Sequence, residues 1–506
     1  MKIRNLFVSA AVLAAAVVRA DTPEVVPDVP REFRGVWVAS TSNIDWPISR
    51  SSSVATQQSE LVNIMDRAVA NRMNAIVFQV RPECDAFYQS SIEPWSYFLT
   101  GLEGRAPNPV WDPLTYAINV AHARGLELHA WVNPYRAKHG SYTTAANHIS
   151  KTHPEYVVTY GSDLWLDPGL VGVQNYSASV IMDIETRYDV DAIHIDDYFY
   201  PYPVSGSTFD DSGSYASYRN GGGLLSLANW RRKNVDDFIQ RINTEIHQNK
   251  SWVRFGISPF GIWQPGYPTG TVGLNSYMEI YADSKKWFNN GWLDYFAPQI
   301  YWRMTTTGHS YPSLMDWWIT QNTQHRHLWP GLYTGQIQNG TDPWTTANIV
   351  DEVQYTQNSH GGATGNVHFS EKVFRANTSG INGALTGGVY AKKALVPATT
   401  WLDNTPPDAP AVEFTRAQGT GLTTLTWTPQ GPEAAWQWVV QYYSNGTWKY
   451  EILPSTALGY AIPGGDALAP TNACVTAIDR VGNQSARVNI NLLGLPLGGT
   501  EGIGLY

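Results

Sequence analysis

The sequence predicts an α/β chain: a (β/α)8 TIM barrel followed by a small all-β sandwich. Two observations carry this reading. Eight short apolar runs alternate with longer helical stretches over roughly 350 of the 506 residues. After "WLDNTPPDAPAVEF" the pattern changes to short β-rich segments separated by turn residues, such as "TTLTWTP", "QWVVQYY" and "NACVTAID".

Taken in order, the strand candidates are "FRGVWVA" from Phe33, "AIVFQV" from Ala75, "LELHAWV" from Leu126, "AIHID" from Ala192 and "RFGISPF" from Arg254. "YFAPQIY" from Tyr295, "LWPGLY" from Leu328 and "NVHFSE" from Asn366 complete the set. Between them lie helical stretches, including "SELVNIMDRAVANR" from Ser59, "PLTYAINVAHARG" from Pro113 and "LANWRRKNVDDFIQRINTEIHQ" from Leu227. Gly125 stands where a helix stop is expected, one residue before the third strand. A doubly wound open sheet is the competing architecture. It is disfavoured because no glycine-rich phosphate fingerprint follows the first strand. Pro406-Pro407 marks the linker, which divides the chain into a barrel over 31–403, a sandwich over 405–492 and a tail over 493–506.

Residues 1–20 have Lys2 and Arg4, an apolar run from Leu6 to Val18, and small residues at Val18 and Ala20, the pattern of a cleaved secretory signal peptide. The run is shorter than the roughly 20 apolar residues a spanning helix needs, and no later segment supplies one. The expected location is therefore periplasmic or the cell surface. Cys84 and Cys474 are the only cysteines and fall in different predicted domains, so no disulfide is expected between them. The net charge of -9 argues against nucleic acid or an anionic membrane as partner. The chain has 21 Trp and 28 Tyr, flat apolar faces with polar edges that suit stacking on sugar rings. Large barrels and sandwiches also bury many aromatics, so composition alone does not decide between the two explanations.

A barrel of this kind carries its active site at the C-terminal ends of its strands, and polar residues collect there. Arg81 and Glu83 follow the second strand. His129 lies on the third, which runs into Asn133, Tyr135 and Arg136. The fourth carries His194, Asp196 and Asp197, with Tyr198 next, and the sixth carries Gln299, Tyr301 and Trp302. Glu371 closes the eighth. Strand alternation puts His194 with Asp196, His129 with Asn133, and Gln299 with Tyr301 on shared faces. Each residue also has an ordinary structural explanation. A paired aspartate often caps a loop, a lone histidine often sits satisfied in a core, and Glu371 could pair with Lys372 or Arg375. Their recurrence at strand ends favours a site, because polar side chains at a barrel mouth must be hydrated, paired or functional.

The blocks "REFRGVWVAS", "NIDWP", "FQVRPECDAFYQSSIEPWSYFLTG", "HAWVNPYR", "LDPG", "HIDDYFYP", "FGISPFGIW" and "DYFAPQIYW" together resemble the glycosyl hydrolase-like ten family of bacterial envelope proteins. That resemblance implies a (β/α)8 fold and glycoside hydrolase activity on a polysaccharide substrate, with peptidoglycan glycan strands expected. No cofactor or metal is expected. The tail region from Thr405 to Leu492 is similar to a fibronectin type III module. Glycoside cleavage needs one protonated carboxyl and one carboxylate. Asp196 is the expected ionised partner, because "DAIHID" resembles the fourth-strand pattern of retaining barrel glycosidases. Glu371, Asp197 and Glu83 are the candidates for the acid. Arg81, His129, Asn133, Tyr135, Arg136, His194, Tyr198, Gln299 and Tyr301 are expected to bind substrate, with Trp37, Trp263 and Trp302 stacking on sugar rings. Three alternatives stay open: a hydrolase of another polysaccharide, a catalytically silent glycan-binding protein, and a metal-dependent deacetylase using His129, His194 and Asp196.

Overall fold

The computed structural model describes residues 25–359, 361–417, 422–463 and 470–493. The expected signal segment and all but the first residue of the expected tail lie outside the described residues. Barrel strands β1 (Phe33–Val38), β2 (Ala75–Arg81), β3 (Glu127–Val132), β4 (Ala192–Ile195) and β5 (Arg254–Ile257) are followed by the short β6 (Tyr295–Phe296). Strand β7 is two pieces, His327–Leu328 and Gly331–Leu332, and β8 is Gly365–His368. All pair in parallel in the order expected of a barrel. The first piece of β7 pairs with β6 and the second with β8, and β8 pairs with β1. One chain segment therefore forms both apparent edges of the sheet, and the barrel closes with eight strands.

Strand β7 is broken because Pro330 has no N–H to give the ladder. Its carbonyl still accepts from Val367 N at 3.2 Å, so the strand keeps its place. Helices Val54–Ala70, Pro113–His122, Val171–Arg187 and Leu227–Asn249 cover the outside after β1 to β4. Local chemistry sets their starts: Ser53, Asp112 and Ser226 each accept an N–H of the first turn. Their apolar faces and the outward residues of the strands form one buried layer, whereas inward residues form a separate aromatic cluster. In that inner cluster Phe33 stacks on Trp329 with ring centroids 3.7 Å apart, and Tyr295 stacks on the same indole at 4.6 Å. Gly256 makes room for Tyr295, since a Cβ there would stand 1.9 Å from its ring.

The C-terminal region is all-β, with a three-stranded and a four-stranded antiparallel sheet enclosing Leu425, Trp427, Trp438 and Val475. It docks on the N-terminal ends of the barrel strands. Arg480 pairs with Asp191 at 2.8 Å, just before β4, and lies over the Trp436 ring. Val29 and Leu395 pack with Val439 and Ile478, and Gln437 donates to Gly125 O at 2.7 Å. Both cysteines are free and buried. No helix among the described residues is long and apolar enough to cross a membrane.

This docking is at the opposite end of the barrel from the strand C-termini. A chain ending at Asp403 is therefore expected to keep its activity on short soluble glycans within about twofold per folded molecule. It should melt several degrees lower, because the Val29 and Leu395 face is uncovered. Loss of activity by a truncated protein that folds, read by turnover and circular dichroism, would contradict this placement.

Candidate active site

At the C-terminal ends of the strands a cavity of about 280 Å³ opens, lined by Trp37, Gln79, Trp131, Arg136, Asp196, Asp197, Tyr198, Gln299, Tyr301, Tyr333 and Phe369, among others. A second hollow of about 380 Å³ adjoins it, sharing Thr41, Ile44, Arg136 and Tyr198 and continuing past Tyr160, Trp165 and Tyr202. The two make one aromatic trough. Its outer part is walled by the small antiparallel sheet of Arg136–Lys138, Val157–Tyr160 and Asp163–Leu166 and by the loop after β4.

Asp196 follows β4 directly and is held by two donors: Ser258 Oγ at 3.1 Å and Gln299 Nε2 at 2.8 Å, both on Oδ1. Asp197 accepts a hydrogen bond from the Tyr202 hydroxyl and meets the Asp196 carboxyl in a hydrogen-bonded contact. Two buried carboxyl groups this close disfavour a second charge, which favours one proton on the pair. Burial pushes both acids up from the ordinary carboxylate range, and the charge of Asp197 pushes Asp196 further. The pair is therefore read as sharing one proton, with Ser258 and Gln299 donating to Asp196 and the Tyr202 hydroxyl donating to Asp197. Arg136 lies over the Tyr198 ring at 4.4 Å and raises neither acid, since its positive charge lowers both.

Beneath Asp196 a hydrogen-bonded column runs down the barrel axis. His194 Nε2 meets Ser258 Oγ at 2.8 Å and its Nδ1 meets the Tyr295 hydroxyl at 2.9 Å. That hydroxyl meets His129 Nδ1 at 3.0 Å, and His129 Nε2 meets Glu127 at 3.0 Å. Arg254 pairs with Glu127 at 3.0 Å and ends the column. All four ring nitrogens of the two histidines are thus engaged. Neither histidine offers a free lone pair to a metal, which removes the support for a deacetylase reading built on His129, His194 and Asp196.

Of the residues expected from sequence, the structure brings Asp196, Asp197, Arg136, Tyr198, Gln299, Tyr301 and Trp37 to the cavity. His194 and His129 lie below it in the column and do not line it. Several others are placed elsewhere. Glu371 begins the helix Glu371–Ala376 and is buried against Arg67, whose Nε donates at 2.7 Å, with Arg375 at 3.5 Å. Glu83 is buried, accepts from Tyr142 and lies near Arg136, outside the lining. Arg81 forms a buried pair with Glu93, its Nε 2.9 Å from Oε2. The Asn133 side chain bridges Pro82 O and the Trp131 indole. Tyr135 packs outward against Phe238, Trp302 sits edge-on to Phe260 and His309, and Trp263 donates to Asp283.

Sequence reading missed Gln79, Tyr333, Trp131 and Phe369. Gln79 had a signal: it is polar, lies on an apolar strand, and shares the inward parity of Ala75 and Val77. Its Oε1 accepts from the backbone N–H groups of Ser40 and Thr41, while Nε2 has no partner among the described residues.

The family model described as glycosyl hydrolase-like 10 matches residues 32–346. The chain belongs to the glycosyl hydrolase-like 10 family. This family member is 38% identical over 390 residues to "Glycosyl hydrolase YngK" of Bacillus subtilis, covering 75% of this chain and 76% of that protein. It is 36% identical over 318 residues to "Glycosyl hydrolase DigH" of Escherichia coli, covering 58% and 71% respectively. Among solved structures, α-L-fucosidase isoenzyme 2 from Paenibacillus thiaminolyticus overlays with a TM-score of 0.46 at 11% identity, covering 76% of this chain and 51% of that one. The barrel assignment rests on the strand order itself. The protein is a glycoside hydrolase.

The column makes a direct prediction. Tyr295→Phe keeps the stacked ring but leaves two buried histidine nitrogens without a partner, so it should cost about 1–3 kcal/mol of stability. It should also lower glycan turnover by releasing His194 and, through it, Ser258 and Asp196. Chemical denaturation and turnover measured together check this, and a variant unchanged in both would show that the column holds nothing in place.

Proposed function

We propose that this glycoside hydrolase is exported and cleaves the glycan strands of peptidoglycan, using Asp196 and Asp197 as its reacting carboxyl groups. The observation that carries the reading is the continuous aromatic trough with that acid pair at its inner end. Polysaccharide strands need stacking surfaces along a groove, and the trough supplies Tyr160, Trp165, Tyr198, Tyr202 and Tyr301 along its length. Cleavage needs a proton donor at the glycosidic oxygen and negative charge near the anomeric carbon, and the pair offers both. The envelope location rests on the leader-like residues 1–20 and the resemblance to envelope proteins.

The trough is walled on its outer side by the 136–166 sheet and the loop after β4. A stem peptide on the lactyl group would meet these walls, so strands lacking peptides should be preferred. Digestion of sacculi and of peptide-free strands, with products identified by mass, tests this. The expected result is fragments with new reducing ends, formed faster from peptide-free strands. Anhydro ends, unchanged chain length, or cleavage of xylan or starch in place of these strands would overturn the substrate assignment.

Asp196→Asn should reduce cleavage by roughly 10²–10⁴-fold, the range of assistance given by a positioned carboxyl, while glycan affinity stays close to wild type. A variant that keeps a tenth of wild-type turnover would remove Asp196 from the mechanism.

A further inference from the structure

The acid pair raises a geometric problem that the trough helps to solve. A retaining glycosidase with a protein nucleophile keeps its two carboxyl groups about 5–5.5 Å apart, and an inverting one about 6.5–9.5 Å apart, so that they flank the scissile bond. Asp196 and Asp197 are hydrogen-bonded to each other. Both come from the end of one strand and line the same cavity, so they reach a sugar there from the same direction. Among the described residues lining that cavity they are the only carboxylates. The others near it are committed elsewhere: Glu371 to Arg67 and Arg375, Glu83 to Tyr142, Asp45 to the Ala39 and Lys372 N–H groups and Ser370. Asp163, in the adjoining hollow, is paired with His139 at 3.0 Å. Among the described residues lining the cavity, no second carboxylate is left to act across the sugar.

We propose that the nucleophile is the 2-acetamido oxygen of the substrate itself, and that the cavity is built to take a 2-acetamido sugar on the glycone side of the cleaved bond. This rests on the peptidoglycan reading, in which every sugar of the strand carries that group. The cavity has a partner for each part of it. Asp196, fixed through Oδ1 by Ser258 and Gln299, accepts from the amide N–H. Tyr301, which lines the cavity and stacks on Tyr333, donates to the carbonyl, as does the otherwise unpartnered Nε2 of Gln79. Burial and the negative charge of the acid pair keep the Tyr301 proton in place. The methyl meets the indole and phenyl faces of Trp37, Trp131 and Phe369.

Asp197 gives its proton to the glycosidic oxygen as the C1–O bond breaks, and the acetamido oxygen closes on C1. The resulting cation is an oxazolinium whose N–H is held by the Asp196 carboxylate. Water then adds to C1, the ring C1–O bond breaks to restore the acetamido group, and the water proton returns to Asp197. The sugar leaves with its anomeric configuration retained, and no bond to the protein forms.

The experiment uses the whole protein and peptide-free strands in four forms: native, de-N-acetylated, re-N-acetylated, and re-acylated with mono-, di- and trifluoroacetyl groups. The expected result is cleavage of the native and re-N-acetylated strands and none of the de-N-acetylated. Along the fluoroacetyl series kcat should fall on the order of tenfold or more as the oxygen becomes less nucleophilic, with KM changing little. A group needed only for binding would move KM and leave kcat level across the series. That outcome, cleavage of de-N-acetylated strands, or a glycosyl adduct trapped on Asp196 or Asp197 would overturn the proposal and leave the substrate reading standing. Failure to cleave native strands would overturn both.

Discussion

The chain of hydrogen bonds from Arg254 to Asp196 along the barrel axis is the constraint on which the site depends. Six side chains, Arg254, Glu127, His129, Tyr295, His194 and Ser258, are fully or almost fully buried there, each satisfied by the next. A buried polar group without a partner costs about 1–3 kcal/mol, so none of these residues can turn away without penalty to its neighbours. Aromatic rings pack around the column, with Phe33 against His129 and Trp37 against His194. Asp196 stands at its top with a fixed oxygen, which is what a reacting carboxyl needs before substrate arrives.

That arrangement divides the barrel by function along its axis. At the floor, Glu127 and Arg254 meet the C-terminal sandwich through Thr399 and the Arg480 carbonyl, and charge is met by opposite charge. At the mouth, negative charge is concentrated on two touching acids and is opposed by Arg136. The floor serves stability and the mouth serves chemistry, as in other barrels of this kind.

The fold was legible because apolar runs and helical stretches alternate, and all eight strands begin within one residue of their sequence-based positions. Where strands are shorter than expected, the causes are local. Prolines at 298 and 330 interrupt β6 and β7, whose backbone holds its course through hydrogen bonds that those residues do not donate. The site was only half legible, because parity gives direction but not depth. His129 and His194 do point inward, but lie too low to meet substrate. Parity counted from Val367 and Phe369 points to Glu371, yet the strand ends at His368 and a helix begins. A register shift between Gln79 and Arg81 carries Arg81 toward Glu93, a distant partner that local pattern cannot reveal. Tyr135 lies beyond the end of β3, where alternation no longer applies.

The central claim is that Asp196 and Asp197 share a single proton near neutral pH. Infrared difference spectra between wild type and the Asp197→Asn and Asp196→Asn variants, recorded across pH, read it directly, because other buried acids cancel. One protonated-carboxyl band should be present in the wild type at pH 7, absent from both variants' shared background, and lost only as the pH rises well above the ordinary carboxylate range. A pair that titrates with surface carboxylates near pH 4, leaving no such band at pH 7, would contradict the account.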